Sequence, residues 1–162
     1  MRTLMVLALG AFSTQALAQA KPDLGVGRDD GKIGIGAQLG LPTGVSGKYF
    51  VESNQSAQLA LGVSPFVGGY WVMGGNYLFE QPTLVEQPTF DLGWYIGPGF
   101  KIISGNLIGS QVGPIAAAGM VFNAKDTPVD VSLQLEPGLL FQVQDGRARP
   151  FVGLAIASHY YF

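Results

Sequence analysis

The sequence predicts an all-β fold: an eight-stranded antiparallel up-and-down transmembrane β-barrel, preceded by a leader. Three observations carry that prediction. Apolar side chains recur at every second residue, long uncharged stretches are studded with glycine and proline, and the polar face of each segment holds too little charge to meet water.

Residues 1–20 read as a secretory signal. Arg2 gives the positive start and Leu4 to Phe12 the apolar centre. Ala18-Gln19-Ala20 gives a small-x-small cleavage site, with Ala16-Leu17-Ala18 as a second candidate. The apolar run is far shorter than the ~20 residues of a membrane-spanning helix. The expectation is export with the leader removed near Ala20, an N-terminal periplasmic segment over 21–31, and one barrel domain over 32–162.

No charge occurs over 53–79 or over 102–124. Each run is long enough for a transmembrane helix. Pro65, Gly68-Gly69 and Gly74-Gly75 interrupt the first, however, and Pro114 with four glycines interrupts the second. The period decides for strands. Ile33, Ile35, Ala37, Leu39 and Leu41 alternate with Lys32, Gly34, Gly36, Gln38 and Gly40. Over 45–51, Val45, Tyr49 and Val51 oppose Ser46 and Lys48; over 58–64, Leu59, Leu61 and Val63 oppose Gln58 and Gly62. Trp71, Met73, Tyr77 and Phe79 oppose Gly74 and Asn76 over 70–79. Trp94, Ile96, Phe100 and Ile102 oppose Tyr95, Gly97, Gly99 and Lys101 over 92–103. Residues 113–122 form a strand whose facing Ala116–Ala118 leaves open. Val129, Val131, Leu133 and Leu135 oppose Asp130, Ser132, Gln134 and Glu136. Val152, Leu154, Ile156, Ser158, Tyr160 and Phe162 oppose Gly153, Ala155, Ala157, His159 and Tyr161. Turn chemistry at 41–44, 52–56, 104–106, 123–128 and 144–150 separates the segments. Gly97-Pro98-Gly99, Gly113-Pro114 and Pro137-Gly138 fall inside strands, where bulges or kinks are expected.

In a soluble barrel the aliphatic stripes point inward and a charged face meets water. Charged residues are only 12% of this chain, about half the share of soluble domains, and the polar faces are mostly glycine and alanine. Inverting the barrel removes the conflict. The stripes meet lipid, the small residues fit a narrow interior, and closure satisfies every backbone hydrogen bond. The predicted interior polar network is Lys32, Lys48, Lys101, Asp130, Gln134, Glu136 and His159, its charges paired because isolated ones are costly. Tyr160 and Phe162, with Tyr49, Phe79 and Phe122, are placed in an aromatic girdle at the periplasmic interface.

The functional signals are sparse. A net charge of −2 gives no basic patch for nucleic acid. With no cysteine and one histidine there is no metal cluster, and no cofactor is expected. "GLPTGVSGK" (40–48) departs from a phosphate loop at Pro42 and Tyr49 and reads as a hairpin turn. His159 would need a neighbouring nucleophile and acid to act as a base, and is read as an interior polar residue. Asp130 and Glu136 stand about 20 Å apart along their strand, too far for paired acid–base work. Arg147 and Arg149, in the last loop, are candidate extracellular contacts for phosphate groups or a surface ligand, if both termini are periplasmic. The expected role is structural or surface-binding, without catalysis. The alternatives are a lipid-modifying enzyme barrel and a soluble lipocalin-like binder of an apolar ligand. A pore is a weaker reading, because side chains fill so small a barrel.

The ending, with Phe162, Tyr160, Ile156 and Leu154 on one face, resembles the carboxy-terminal signal of bacterial outer-membrane proteins; Ser158 departs by being polar. "GIGAQLGLPTGVSGKYF" (34–50) is similar to a stretch of small, uncharacterised eight-stranded barrels whose layout resembles the OmpX and OmpA transmembrane class. Asn76 stands before Tyr77 where that group favours an acid. The resemblance implies a monomeric barrel in the outer membrane of a Gram-negative bacterium, with a plugged interior. Its implied partners are outer-membrane lipid and, during biogenesis, the barrel assembly machinery reading Leu154, Ile156, Tyr160 and Phe162.

Overall fold

The structure is a computed structural model and describes residues 33–64, 70–105 and 109–162. The expected leader, the segment 21–31 and Lys32 lie outside the described residues. The described residues form nine strands: β1 (Ile33–Gly40), β2 (Thr43–Glu52), β3 (Gln55–Val63), β4 (Tyr70–Glu80), β5 (Val85–Glu86), β6 (Phe90–Gly105), β7 (Gly109–Ala124), β8 (Val129–Gln142) and β9 (Ala148–Tyr161). All neighbours are antiparallel. The order β4-β3-β2-β1-β9-β8-β7-β6 is joined into a ring by β4–β6, giving the closed eight-stranded barrel. The two-residue β5 lies outside the ring, paired with the start of β6, and was not foreseen from sequence.

The ladder is strongly staggered. From His159 the row runs through Gly36, Ser46, Ala60, Gly74, Lys101, Gly113 and Leu140 and returns to β9 at Arg149, ten residues from its start. An offset of this size on eight strands requires a tilt of roughly 35–45° to the barrel axis. Both ends of the described chain, with the 53–54, 81–89 and 125–128 connections, lie at one end, called here the terminal end. The connections at 41–42 and 143–147, with the strand ends Val63, Tyr70, Gly105 and Gly109, lie at the loop end.

The facing follows the predicted alternation. Ile35, Leu39, Val45, Leu59, Leu61, Trp71, Ile96, Leu133, Leu154 and Ile156 are exposed on the outer wall. Tyr49, Phe79, Phe122, Tyr160 and Phe162 are exposed toward the terminal end. Phe90 stacks on Phe122, with centroids 4.7 Å apart, and extends this belt. The open facing of β7 resolves with Ile115, Ala117 and Val121 inside and Ala116, Met120 and Phe122 outside.

Two expectations need correction. The inner face is not only small and polar. Tyr70, Val72, Ile103 and Leu140 form a buried apolar cluster with Leu41 and Phe151 toward the loop end, and Leu78, Tyr95, Ala117 and Val121 form a second one. The prolines do not produce bulges. Pairing is interrupted around Pro98 on the β4 side and around Pro114 and Pro137 between β7 and β8, but the register is the same on either side. A missing N–H deletes a bond without inserting a residue. The register shift in the sheet lies between Phe50 and Glu52.

Candidate functional site: the charged lumen

Antiparallel pairing brings inward side chains from distant parts of the chain to one level. Gly36 separates His159 of β9 from Ser46 of β2 across the ladder, so those two side chains meet over a residue with no bulk. Gly119 likewise leaves room for the Tyr95 ring, whose phenol oxygen sits 2.5 Å from where a Cβ would stand. At the loop end Gly40, at φ 124°, makes the tight turn into β2, held by the Thr43 hydroxyl, which donates to the Gly40 carbonyl at 3.0 Å.

Two polar clusters result. In the lower one, toward the terminal end, the Lys48 ammonium lies 2.8 Å from Glu80 Oε1 and 3.9 Å from Asp130 Oδ2. Asp130 Oδ1 accepts from His159 Nδ1 at 2.9 Å, and Asp130 Oδ2 accepts from the Tyr161 hydroxyl at 2.5 Å. His159 Nε2 meets Ser46 Oγ at 2.9 Å, and Ser56 donates to Glu80 at 2.9 Å. Lys48 also sits 5.0 Å from the Phe50 ring centroid and 5.4 Å from that of Tyr95. In the upper cluster Lys101 pairs with Glu136 and donates to the Leu41 carbonyl at 2.6 Å. Gln134 donates to the other Glu136 oxygen at 2.7 Å and accepts from the Tyr95 hydroxyl at 2.9 Å. Tyr95 thus touches both clusters. All of these charged groups are buried.

The structure therefore places Lys48, Lys101, Asp130, Gln134, Glu136 and His159 in the lumen, divided between the two clusters. Lys32 lies outside the described residues. Sequence reasoning missed Glu80, the main partner of Lys48, because the fourth strand was ended at Phe79. Continuing the Gly74-Asn76-Leu78 parity by one step would have found it. Ser46 and Tyr161 were assigned to the correct face but given no partner. Arg147 lies in the last loop, 3.3 Å from Asp145, whereas Arg149, expected in that loop, is the second residue of β9 and pairs with Leu140; both are exposed at the loop end. At the opposite rim Lys125 lies 3.0 Å from Asp91 and 3.4 Å from Glu86. The hydrogen bond to Asp91 raises the Lys125 pKa.

Ser46, His159 and Asp130 stand in the order of a nucleophile, base and orienting acid. All three are enclosed. Ser46 is 3% exposed and His159 and Asp130 1%, Asp130 is shared with Tyr161 and Lys48, and backbone N–H groups in the ladder are committed to neighbouring strands, which removes the usual oxyanion donors. On the outer wall, an open groove of about 440 Å³ lies over Gly75, between Leu59, Tyr77 and Phe100. Among the described residues no three His, Asp or Glu side chains form a metal-binding group. Comparison of the chain with family models, with curated proteins and with solved structures finds no match.

Proposed function

We propose that the chain is an integral outer-membrane β-barrel with a structural or surface-binding role in the cell envelope and a plugged interior. The observation that carries this reading is the inversion of the wall. Large apolar side chains, among them Ile35, Leu59, Leu61, Leu133, Val152 and Leu154, are about half or more exposed around the ring, while Lys48, Lys101, Asp130 and Glu136 are at most 3% exposed inside it. In water that arrangement would forfeit apolar burial and bury charge at the same time. In a bilayer it is the stable one. The aromatic belt at the terminal end and the resemblance of the final strand to the outer-membrane assembly signal support the same reading. It is tested by fractionation and by comparing heated and unheated samples on SDS gels. A folded band that shifts on heating and partitions with the outer membrane is expected; quantitative release as a soluble periplasmic protein ends the proposal.

A second reading, a lipid-modifying enzyme, draws on the Ser46–His159–Asp130 alignment. Fluorophosphonate labelling of the folded protein in detergent separates the two. The structural reading expects Ser46 unlabelled, and a stoichiometric adduct lost in Ser46→Ala would transfer the case to the enzyme.

A further inference from the structure

Strand β9 borders β8 on one side and β1 on the other, and the two borders differ in length. Pairing with β8 runs from Val129↔Tyr160 to Phe141↔Ala148, whereas pairing with β1 ends at Gly40↔Ala155. Beyond Gly40 the chain turns away through Leu41–Pro42 into β2. Residues 148–154 of β9 therefore have a ladder partner on one side alone among the described residues. The bond from the Phe162 N–H to the Ile33 carbonyl fixes which residues face β1. By that alternation Val152 aims N–H and C=O, Leu154 its N–H and Pro150 its C=O at the open side, the Leu154 carbonyl lying against Gly40. Pro150 has no N–H to leave unpaired there.

Two requirements then conflict in a bilayer of even thickness. On the far wall Phe100 and Val112 remain exposed and apolar at heights comparable to Leu154 and Val152, and such surface belongs in hydrocarbon. Open backbone groups at the same height do not, because nothing in hydrocarbon can hydrogen-bond them. A membrane of uneven thickness satisfies both, since bilayers thin beside short spanning segments at modest cost. Strand lengths agree: β1, β2 and β3 have 8, 10 and 9 residues, against 16, 16, 14 and 14 in β6 to β9.

We propose that the bilayer around this barrel is thinned along β9, β1 and β2, where headgroups and water reach the open edge of β9. Seven residues of tilted strand place the polar boundary there roughly 15 Å below its level against β6–β8. The inference rests on the membrane-barrel reading.

The chain has no cysteine, so single nitroxide labels can be placed without further substitution. The test uses Leu154→Cys and Val152→Cys on the open side, Phe100→Cys and Val112→Cys on the far wall, and Leu133→Cys as a lipid reference. Each protein is folded into dioleoyl-phosphatidylcholine vesicles, and label accessibility is measured to oxygen, which concentrates in hydrocarbon, and to a neutral nickel chelate, which stays in water. The expected result is a several-fold higher nickel-to-oxygen ratio at 152 and 154 than at 112 and 100, with 133 resembling the far wall. Equal, oxygen-dominated ratios at all five sites would overturn the thinning and leave the membrane reading intact. Nickel-dominated ratios at all five, position 133 included, would overturn the membrane reading itself. Poor access of both reagents at 152 and 154 would mean that a polypeptide covers the edge, and would also overturn the proposal.

Discussion

The two polar clusters of the lumen solve one problem in different ways. The lower one is distributed. Lys48 is shared by Glu80 and Asp130, Asp130 is shared by Lys48, His159 and Tyr161, and Ser46 and Ser56 satisfy the remaining edges. The upper one is essentially a single ion pair, Lys101 with Glu136, set beneath the apolar cluster of Tyr70, Val72, Ile103 and Leu140. A shared network loses one member and keeps others to neutralise the rest, whereas an isolated pair loses everything at once. The lower cluster should therefore tolerate single deletions better than the upper, even though it holds more charge.

The strongest test of that contrast is Glu136→Gln. It removes the carboxylate paired with Lys101, leaving a buried ammonium with neutral acceptors and the Phe151 ring, and should cost about 3–5 kcal/mol, read from urea unfolding in micelles. The double change Lys101→Met with Glu136→Met should recover most of the loss, because an apolar pair needs no counter-charge. Asp130→Asn comes next. Lys48 keeps Glu80, so a loss of about 1–3 kcal/mol is expected; a cost equal to that of Glu136→Gln would break the comparison. Ser46→Ala removes one neutral partner of His159 and should cost about 0.5–1.5 kcal/mol. The smallest effect concerns Lys125 at the rim. Its pKa is raised by Asp91 above the ordinary value of 10.5. Any stabilisation from this contact is fully present below that ordinary value and is lost as pH rises through the raised one. Lys125→Met should therefore lower the midpoint of unfolding slightly at neutral pH, with the difference from the wild type shrinking as pH rises past 10.5.

Most of the wall was legible because the outer surface and the lumen hold side chains of opposite polarity at alternate residues, and that contrast is written along each strand. Lys48, Gln58, Lys101, Asp130 and Glu136 could be assigned inward from parity alone. Parity failed where both faces carry similar chemistry. Val72, Ile103 and Leu140 are as apolar as their outward neighbours, so the inner cluster near the loop end left no signal. Strand ends were underestimated where the alternation gives out: β6 spans Phe90–Gly105 against an expected 92–103, and β7 Gly109–Ala124 against 113–122. Pairwise distances were invisible altogether. Which acid meets Lys48 depends on a stagger that only the closed ring defines.

That stagger restricts how the chain can change length. A ring whose residues alternate between lumen and outer surface closes consistently only on an even offset, and ten is even. Losing one residue between Ser46 and Lys48 would turn the Lys48 ammonium to the outside of the barrel and draw Tyr49 into the lumen. Insertions and deletions inside a strand must therefore come in pairs or be absorbed by a compensating bulge, while connections between strands can vary one residue at a time. Homologues of this barrel should differ in length mainly where strands meet, and where a strand itself changes, by even steps.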